Sequence, residues 1–291
     1  MNTVTSSTVT VLGATGQVGR QVVAGLRARG ATVRAVARPS DRLTALDAEP
    51  RPGLLTDTAF LTAACTGADA VFALLPPDSD APDHPAAQAA AGRAIAEAVR
   101  ASGVPYAVQL SSLGGEVAEG TGFLAGLHDQ EERMRATGVP LLVLRPGWFA
   151  ENVAAAIPVV EEHGVLADSL APGRALPVVA TRDVAAAAVE ALLDRSETGV
   201  RELLGPADLT PEDMADALGA ALGRPGLPYV RLPDEDMAAA LVGAGFSPSA
   251  AAGHLGMTAA LNAGRVVSRT GRTPRTTTPT PLADVLAGLP G

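Results

Sequence analysis

The chain has 291 residues, 47% of them hydrophobic and 18% charged, with a net charge of −9 and a single cysteine. The acidic balance, without any basic cluster, argues against nucleic acid or an acidic membrane surface as a partner, and one cysteine excludes an internal disulfide and a cysteine-based metal site. All 22 basic residues are arginine, so every lysine-dependent mechanism is excluded.

This length suits one α/β domain carrying a smaller lobe. No signal-peptide series opens the chain and no apolar run reaches a membrane span, so the expectation is a cytoplasmic protein without a membrane partner, monomer or homodimer. Cys65 reads as a small buried apolar residue on a helix.

Residues 9–23 (VTVLGATGQVGRQVV) join a β-branched run to a helical pattern through three glycines. Gly13 suits the tight turn after a strand, Gly16 lets the backbone approach a pyrophosphate, and Gly19 lets the helix pack on the strand. A helix starting near Gly16 points free N–H groups at that pyrophosphate. The Gly-x-x-Gly-x-x-Gly spacing, with Thr15 before Gly16, resembles the short-chain dehydrogenase/reductase superfamily. The helix continues to Arg29 and stops at Gly30, and 31–37 (ATVRAVA) alternates into a second strand. An NAD enzyme carries an acidic residue at this strand end for the ribose 2′-hydroxyl, whereas an arginine suits a 2′-phosphate. Here the strand ends in Arg38, followed by Pro39, Ser40, Asp41 and Arg42. This reads as NADP(H), with Arg38 foremost and Ser40 and Arg42 as helpers; the other reading of Arg38 is a solvated loop arginine.

A short third strand is expected at Leu54, then a helix capped by Thr56 or Asp57. Residues 68–75 (ADAVFALL) form an apolar run of strand length that Pro76 and Pro77 end. Ligands sit at the carboxyl ends of such strands, so Leu74, Leu75, Pro76 and on to Asp78 are expected beside the cofactor ribose. His84–Ser102 is a long alanine-rich helix stopped by Gly103. Residues 104–110 give the fifth strand, at whose end Ser111 either bonds a substrate oxygen or nicotinamide ribose, or caps a loop. A helix over 128–137 and a sixth strand over 140–144 follow, then Arg145, Pro146, Gly147, Trp148, Phe149, Ala150, Glu151 and Asn152.

The strand–helix alternation predicts a Rossmann-type, doubly wound parallel sheet: an NADP(H)-binding domain over 1–150 and a smaller C-terminal α/β substrate lobe over 151–291, with about 178–205 returning to the sheet. Within the lobe, 181–193 reads as a capped amphipathic helix, 200–204 as a strand, 250–267 as a helix, and the Thr/Pro tail at 272–281 as extended.

GATGQVG at 13–19, the Arg38 loop, SSLGG after strand five, HDQEERMRATG, RPGWFAEN, the TRDVA helix start and the terminal TPRT stand in one order. Together they resemble the NmrA-like branch of the atypical short-chain dehydrogenase/reductases, over nearly the whole chain. The resemblance implies that Gly13, Thr15, Gly16, Gln17, Val18 and Gly19 hold the pyrophosphate of NADP(H) and Arg38 its 2′-phosphate. It places Leu74, Ser111, Pro146 and Phe149 near the ribose and nicotinamide, with Ser112, Trp148 and Asn152 in the pocket of a small-molecule acceptor. One departure is on the adenine side, where the family often has an acidic residue and this chain has Leu54 or Leu55.

The larger departure is chemical. Ketone-reducing members use Tyr-x-x-x-Lys, whose lysine lowers the tyrosine pKa. Here that place reads Phe123, Leu124, Ala125, Gly126, Leu127, His128, and both tyrosines, Tyr106 and Tyr229, lack a lysine. The feasible reaction is hydride delivery from NADPH to an electron-poor acceptor such as a quinone, whose reduced product is a stabilised oxyanion; some family members are quinone or azo reductases. His128 is the best available acid, its other reading being a helix-start cap or surface residue. Trp148 and Phe149 either line the acceptor pocket or belong to the core. His84, His163 and His254 show no metal-ligand spacing, so no metal is expected. Two alternatives share the fold: a non-catalytic NADP(H)-binding redox sensor, and a specialised-pathway isomerase or cyclase.

Overall fold

The computed structural model describes residues 7–76 and 78–288; the expectations placed on residues 1–6 and on Pro77 lie outside the described residues. The glycine-rich opening folds as β1 (Thr8–Leu12) followed by α1 (Gln17–Ala28), and the chain then alternates: β2 (Thr32–Ala37), a single turn α2 (Asp41–Thr44), β3 (Glu49–Pro52), α3 (Thr58–Cys65), β4 (Ala70–Leu74), α4 (His84–Ser102), β5 (Ala107–Leu110), α5 (Phe123–Arg135) and β6 (Leu141–Pro146). After these come β7 (Trp148–Phe149), α6 (Ala150–Ala154), α7 (Ile157–His163), β8 (Leu166–Asp168), β9 (Leu176–Val179), α8 (Thr181–Asp194), β10 (Gly199–Leu203) and β11 (Asp208–Leu209). The chain closes with α9 (Pro211–Ala221), β12 (Tyr229–Arg231), α10 (Asp234–Gly243), α11 (Pro248–Asn262) and α12 (Leu282–Leu286).

Seven strands pair in the order β10-β6-β5-β4-β1-β2-β3, every neighbouring pair parallel, which is a Rossmann-type sheet. Alternation along each strand sends side chains to two apolar layers. Val9 and Val11 of β1 pack with Val18, Val22 and Leu26 of α1 and Val184, Ala188 and Leu192 of α8. Leu12 and Val71 face the other way, onto Leu61 of α3, Ile95 and Val99 of α4 and Met134 of α5. Strand order reverses between β1 and β4, and ligand clefts in open parallel sheets lie at that reversal, beyond the carboxyl strand ends.

The local signals differ in how well they foretold the elements. Asp83 accepts a bond from the Ala86 amide and Gly103 takes a left-handed φ of 68°, so α4 begins and ends where its cap and glycine require. The third strand is not at Leu54 but at Glu49–Pro52: its two prolines break the usual strand pattern, yet an edge strand tolerates them because β3 pairs only with β2. Asp57 does cap α3, accepting from the Phe60 amide at 3.0 Å. Helix α5 starts at Phe123, five residues before the expected 128, since Gly122 adopts a left-handed φ of 55° against the backbone of α11, where no side chain fits. The α8 start is capped from a distance: the Glu151 carboxylate of α6 accepts the Thr181 amide at 3.0 Å and its hydroxyl as well.

Beyond the sheet, β9 pairs with both β7 and β11, and β12 pairs with β8. The tail returns to the sheet edge, where Leu204 bridges Thr277 and its amide donates to the Thr276 carbonyl at 2.7 Å. Glu202 of β10, buried to 3% exposure, holds this tail by accepting from the hydroxyls of Ser268 and Thr270 and the amides of Arg269 and Thr270. Among the described residues no helix is long and apolar enough to cross a membrane.

Burial pushes the Glu202 pKa up, but those four bonds outweigh it and leave the carboxyl below the usual glutamate value. Its contribution is therefore full above the pKa of an unfolded glutamate and lost as pH falls through the lowered folded value. Replacing Glu202 by Gln is expected to cost about 1–3 kcal/mol at neutral pH. Urea unfolding at a series of pH values checks this: the gap to the unmodified protein should narrow in acid, and a gap independent of pH contradicts the assignment.

Candidate cofactor and acceptor cleft

The cleft opens where β1 and β4 part and has a volume of about 910 Å³. Its floor is the glycine turn. Gly13 has a φ of 66° and lies so near Leu74 that an added Cβ would stand 2.9 Å from the leucine Cδ1. Gly19 is tighter still, because a Cβ there would meet the Gly13 carbonyl oxygen at 2.2 Å. Around Gly16, by contrast, a Cβ meets only that oxygen, at 3.3 Å, so this glycine faces open space. No side chain caps α1, and its first intrahelical bond runs from the Arg20 amide to the Gly16 carbonyl. The amides of Gln17, Val18 and Gly19 are thus left for an anion at the mouth of the cleft.

Along one side stand Thr15, Arg38, Leu54 and Leu55. Arg38 is exposed, directly follows β2, and makes no ion pair among the described residues, which leaves its guanidinium for a phosphate. Ser40 does not reach the cleft; its hydroxyl accepts the Leu43 amide and caps α2. These features, namely uncapped amides, a turn with no room for side chains and an unpaired arginine, fit a dinucleotide with a 2′-phosphate. NADP(H) would be held by Gly13, Thr15, Gly16, Gln17, Val18, Gly19 and Arg38, with Leu74, Leu75, Pro76, Ser111, Pro146 and Phe149 further along the same wall.

The far end is built by elements distant in sequence. Ser112, Trp148 and Asn152 line it, together with Leu113, Leu124, Leu127, Leu176, Met257, Leu261 and Val266. Trp148 and Phe149 are half-buried and point to opposite layers, Phe149 onto the sheet core and Trp148 onto the lobe, so both contribute to core and wall. Arg38 is the one cation among the described lining residues and Asp78 the one carboxylate. Sequence reading missed Leu124, Leu127, Met257 and Leu261 because they meet only when α5 and α11 pack, and Leu113, Leu176 and Val266 because they come in from the end of β5, from β9 and from the segment after α11; it also missed Gln88 of α4, which lines the cleft beside Ala87 and Ala91.

Neither Ser111 nor His128 presents a free proton to this space. Ser111 lines the cleft, but its hydroxyl donates to the fully buried Glu131 at 2.6 Å. Glu131 is also gripped by Arg145 through two bonds, 2.9 Å from Nε and 2.6 Å from Nη2, while Arg145 reaches Glu116 at 2.9 Å. Burial lowers the Arg145 pKa, but its bonds to Glu131 and the charges of Glu131, Glu116 and Glu202 raise it above the usual guanidinium value, so the guanidinium stays charged. His128 stands off the cleft wall, its Nδ1 held 3.0 Å from the Gly115 carbonyl. The tyrosines are engaged elsewhere: Tyr106 donates to the Glu197 carbonyl with its pKa pushed up to about 12, chiefly by burial, and Tyr229 donates to the carbonyls of Asp168 and Leu170.

Residues 13–195 match the model of a family described as NAD(P)H-binding. The chain is 34% identical over 221 residues to a (4-alkanoyl-5-oxo-2,5-dihydrofuran-3-yl)methyl phosphate reductase of Streptomyces griseus, covering 75% of this chain and 74% of that protein. It is 31% identical over 247 residues to quinone oxidoreductase 2 of Escherichia coli, covering 81% and 82%. The crystal structure of an NADPH-dependent quinone oxidoreductase from Escherichia coli complexed with NADPH superposes with a TM-score of 0.77 at 26% identity, over 96% of this chain and 98% of that one.

Two measurements separate scaffold from ligand contact. Gly19→Ala should cost about 1–3 kcal/mol in unfolding free energy through overpacking on Gly13, whereas Gly16→Val should leave the melting temperature close to that of the unmodified protein and abolish NADPH binding. Arg38→Ala should weaken NADPH binding by about tenfold or more while sparing NADH; equal losses for the two cofactors, read by calorimetry, contradict the 2′-phosphate contact.

Proposed function

The chain belongs to the NAD(P)H-binding family and is an NAD(P)H-dependent oxidoreductase; on that premise we propose that it uses NADPH and that its acceptor is a small, neutral, electron-poor molecule of the quinone class, bound between the carboxyl end of the sheet and the segments that follow residue 150. The observation that carries this reading is the contrast between the two ends of one cleft. The cofactor end has free amides and Arg38, while the acceptor end is a wall of leucine, methionine, valine and tryptophan whose polar members, Ser112, Asn152 and Gln88, are neutral, without a histidine, tyrosine, arginine or lysine among its described residues.

NADPH, when bound, supplies a hydride. The protein's own contribution is to fix the dinucleotide on the α1 amides, to hold the acceptor flat against Trp148, Leu124 and Leu127, and to keep water from the reacting faces. With the Ser111 hydroxyl committed to Glu131 and His128 outside, no side chain at hand passes a proton to a poorly acidic alkoxide. An acceptor whose reduced form is a stable anion needs no such donor, and a quinone meets that condition. The Streptomyces griseus relative is named for a phosphate ester. Here no cation at the acceptor end meets a phosphate dianion, and burying one unpaired is costly, so the reading favours unphosphorylated acceptors.

NADPH oxidation measured against neutral benzoquinones and naphthoquinones, simple ketones and phosphate-bearing unsaturated lactones tests this directly. Oxidation with the quinones alone is expected. Preference for the ketones or phosphate esters overturns the acceptor class, and tight NADPH binding without oxidation by any acceptor turns the reading toward a redox sensor.

A further inference from the structure

Gln88 is a polar residue in the otherwise alanine-rich stretch of α4 that faces the cleft. It is 8% exposed, and its carboxamide makes no hydrogen bond to any described residue. The amide rests on the bare Cα of Gly126, where an added Cβ would lie 2.1 Å from Oε1 and 2.7 Å from Cδ. Gly126 stands between Leu124 and Leu127, the α5 residues of the acceptor wall, so the missing side chain at 126 is what lets the amide sit there. Water entering the open cleft satisfies such an amide; once cofactor and acceptor displace that water, an unmet N–H becomes costly unless the acceptor itself takes the bond.

We propose that the Gln88 carboxamide is the hydrogen-bond donor to the acceptor's carbonyl oxygen. This rests on the quinone reading above. In the step, hydride adds to the quinone and gives a hydroquinone monoanion with NADP+; the Gln88 N–H stabilises the negative oxygen, and a proton from water completes the hydroquinone. An amide gives up no proton at neutral pH, so it stabilises charge without acting as an acid. It thereby selects acceptors that present an oxygen beside an apolar ring.

The test uses Gln88→Leu, which keeps the volume and removes the donors, with Gly126→Ala as a second variant whose methyl displaces the amide. Three quantities are measured for each: NADPH affinity by calorimetry, kcat/KM for a benzoquinone, and the binding of 1,4-benzoquinone, whose oxygens only accept, and of 1,4-dimethylbenzene, which has no acceptor, to the NADP+-loaded protein. Gln88→Leu should lower kcat/KM by roughly 10- to 100-fold and weaken benzoquinone binding about tenfold, with NADPH and dimethylbenzene binding unchanged; Gly126→Ala should shift the same two quantities in the same direction. Unchanged benzoquinone binding, or equal losses for benzoquinone and dimethylbenzene, overturns the role of Gln88. If the unmodified protein binds benzoquinone but reduces no quinone, the oxidoreductase reading of the cleft fails, and the comparison of benzoquinone with dimethylbenzene still decides whether Gln88 makes the contact.

Discussion

The close approach of Gly19 to the Gly13 carbonyl governs the molecule's working end. A helix can start this near the strand that feeds it only if neither position carries a side chain, and a Cβ at residue 19 would sit 2.2 Å from that oxygen. This contact points the first turn of α1 at the gap between β1 and β4, and leaves its amides without a capping side chain. Everything placed around the cleft, from Arg38 at one end to Trp148 at the other, is arranged relative to that fixed helix start. Local sequence and global topology make the same demand here, which is why a short glycine pattern carries so much information.

A second rigid centre lies behind the acceptor end. Glu131, with no solvent exposure, receives Ser111 and both arms of Arg145, and Arg145 extends to Glu116, which in turn holds Arg269 of the tail. A buried pair of this kind is not a large source of net stability, but breaking one half strands the other. Its effect is geometric: it ties the end of β5, helix α5, strand β6 and the tail to one point, and it draws the Ser111 hydroxyl away from the cleft. The hydroxyl of Ser111, which sequence alone leaves open between a ligand bond and a loop cap, donates its proton to a partner twenty residues on.

What sequence reading captured follows from what is local. The parallel sheet, the glycine turn, the arginine after β2 and the caps of α3 and α4 each depend on a few adjacent residues, and the absence of lysine removes the usual proton-relay dyad outright. What it missed is produced by chain ends meeting in space. Strand β3 is hidden by Pro50 and Pro52, which only an edge position excuses. Met257 and Leu261 show no period that tells cleft wall from core, since they become a wall only when α11 packs on α5. Gln88 was one polar residue in an alanine-rich helix, and its setting depends on a glycine 38 residues later.

The returning tail and the two strand prolines have a further consequence. An open sheet has two margins, and each is a template on which another chain can add a strand. At the β10 margin, Leu204 already exchanges backbone bonds with Thr276 and Thr278, so the chain occupies part of its own edge. At the β3 margin, Pro50 and Pro52 have no N–H to offer an incoming strand. Both margins of a sheet rich in valine and alanine thereby offer fewer backbone bonds to an incoming strand.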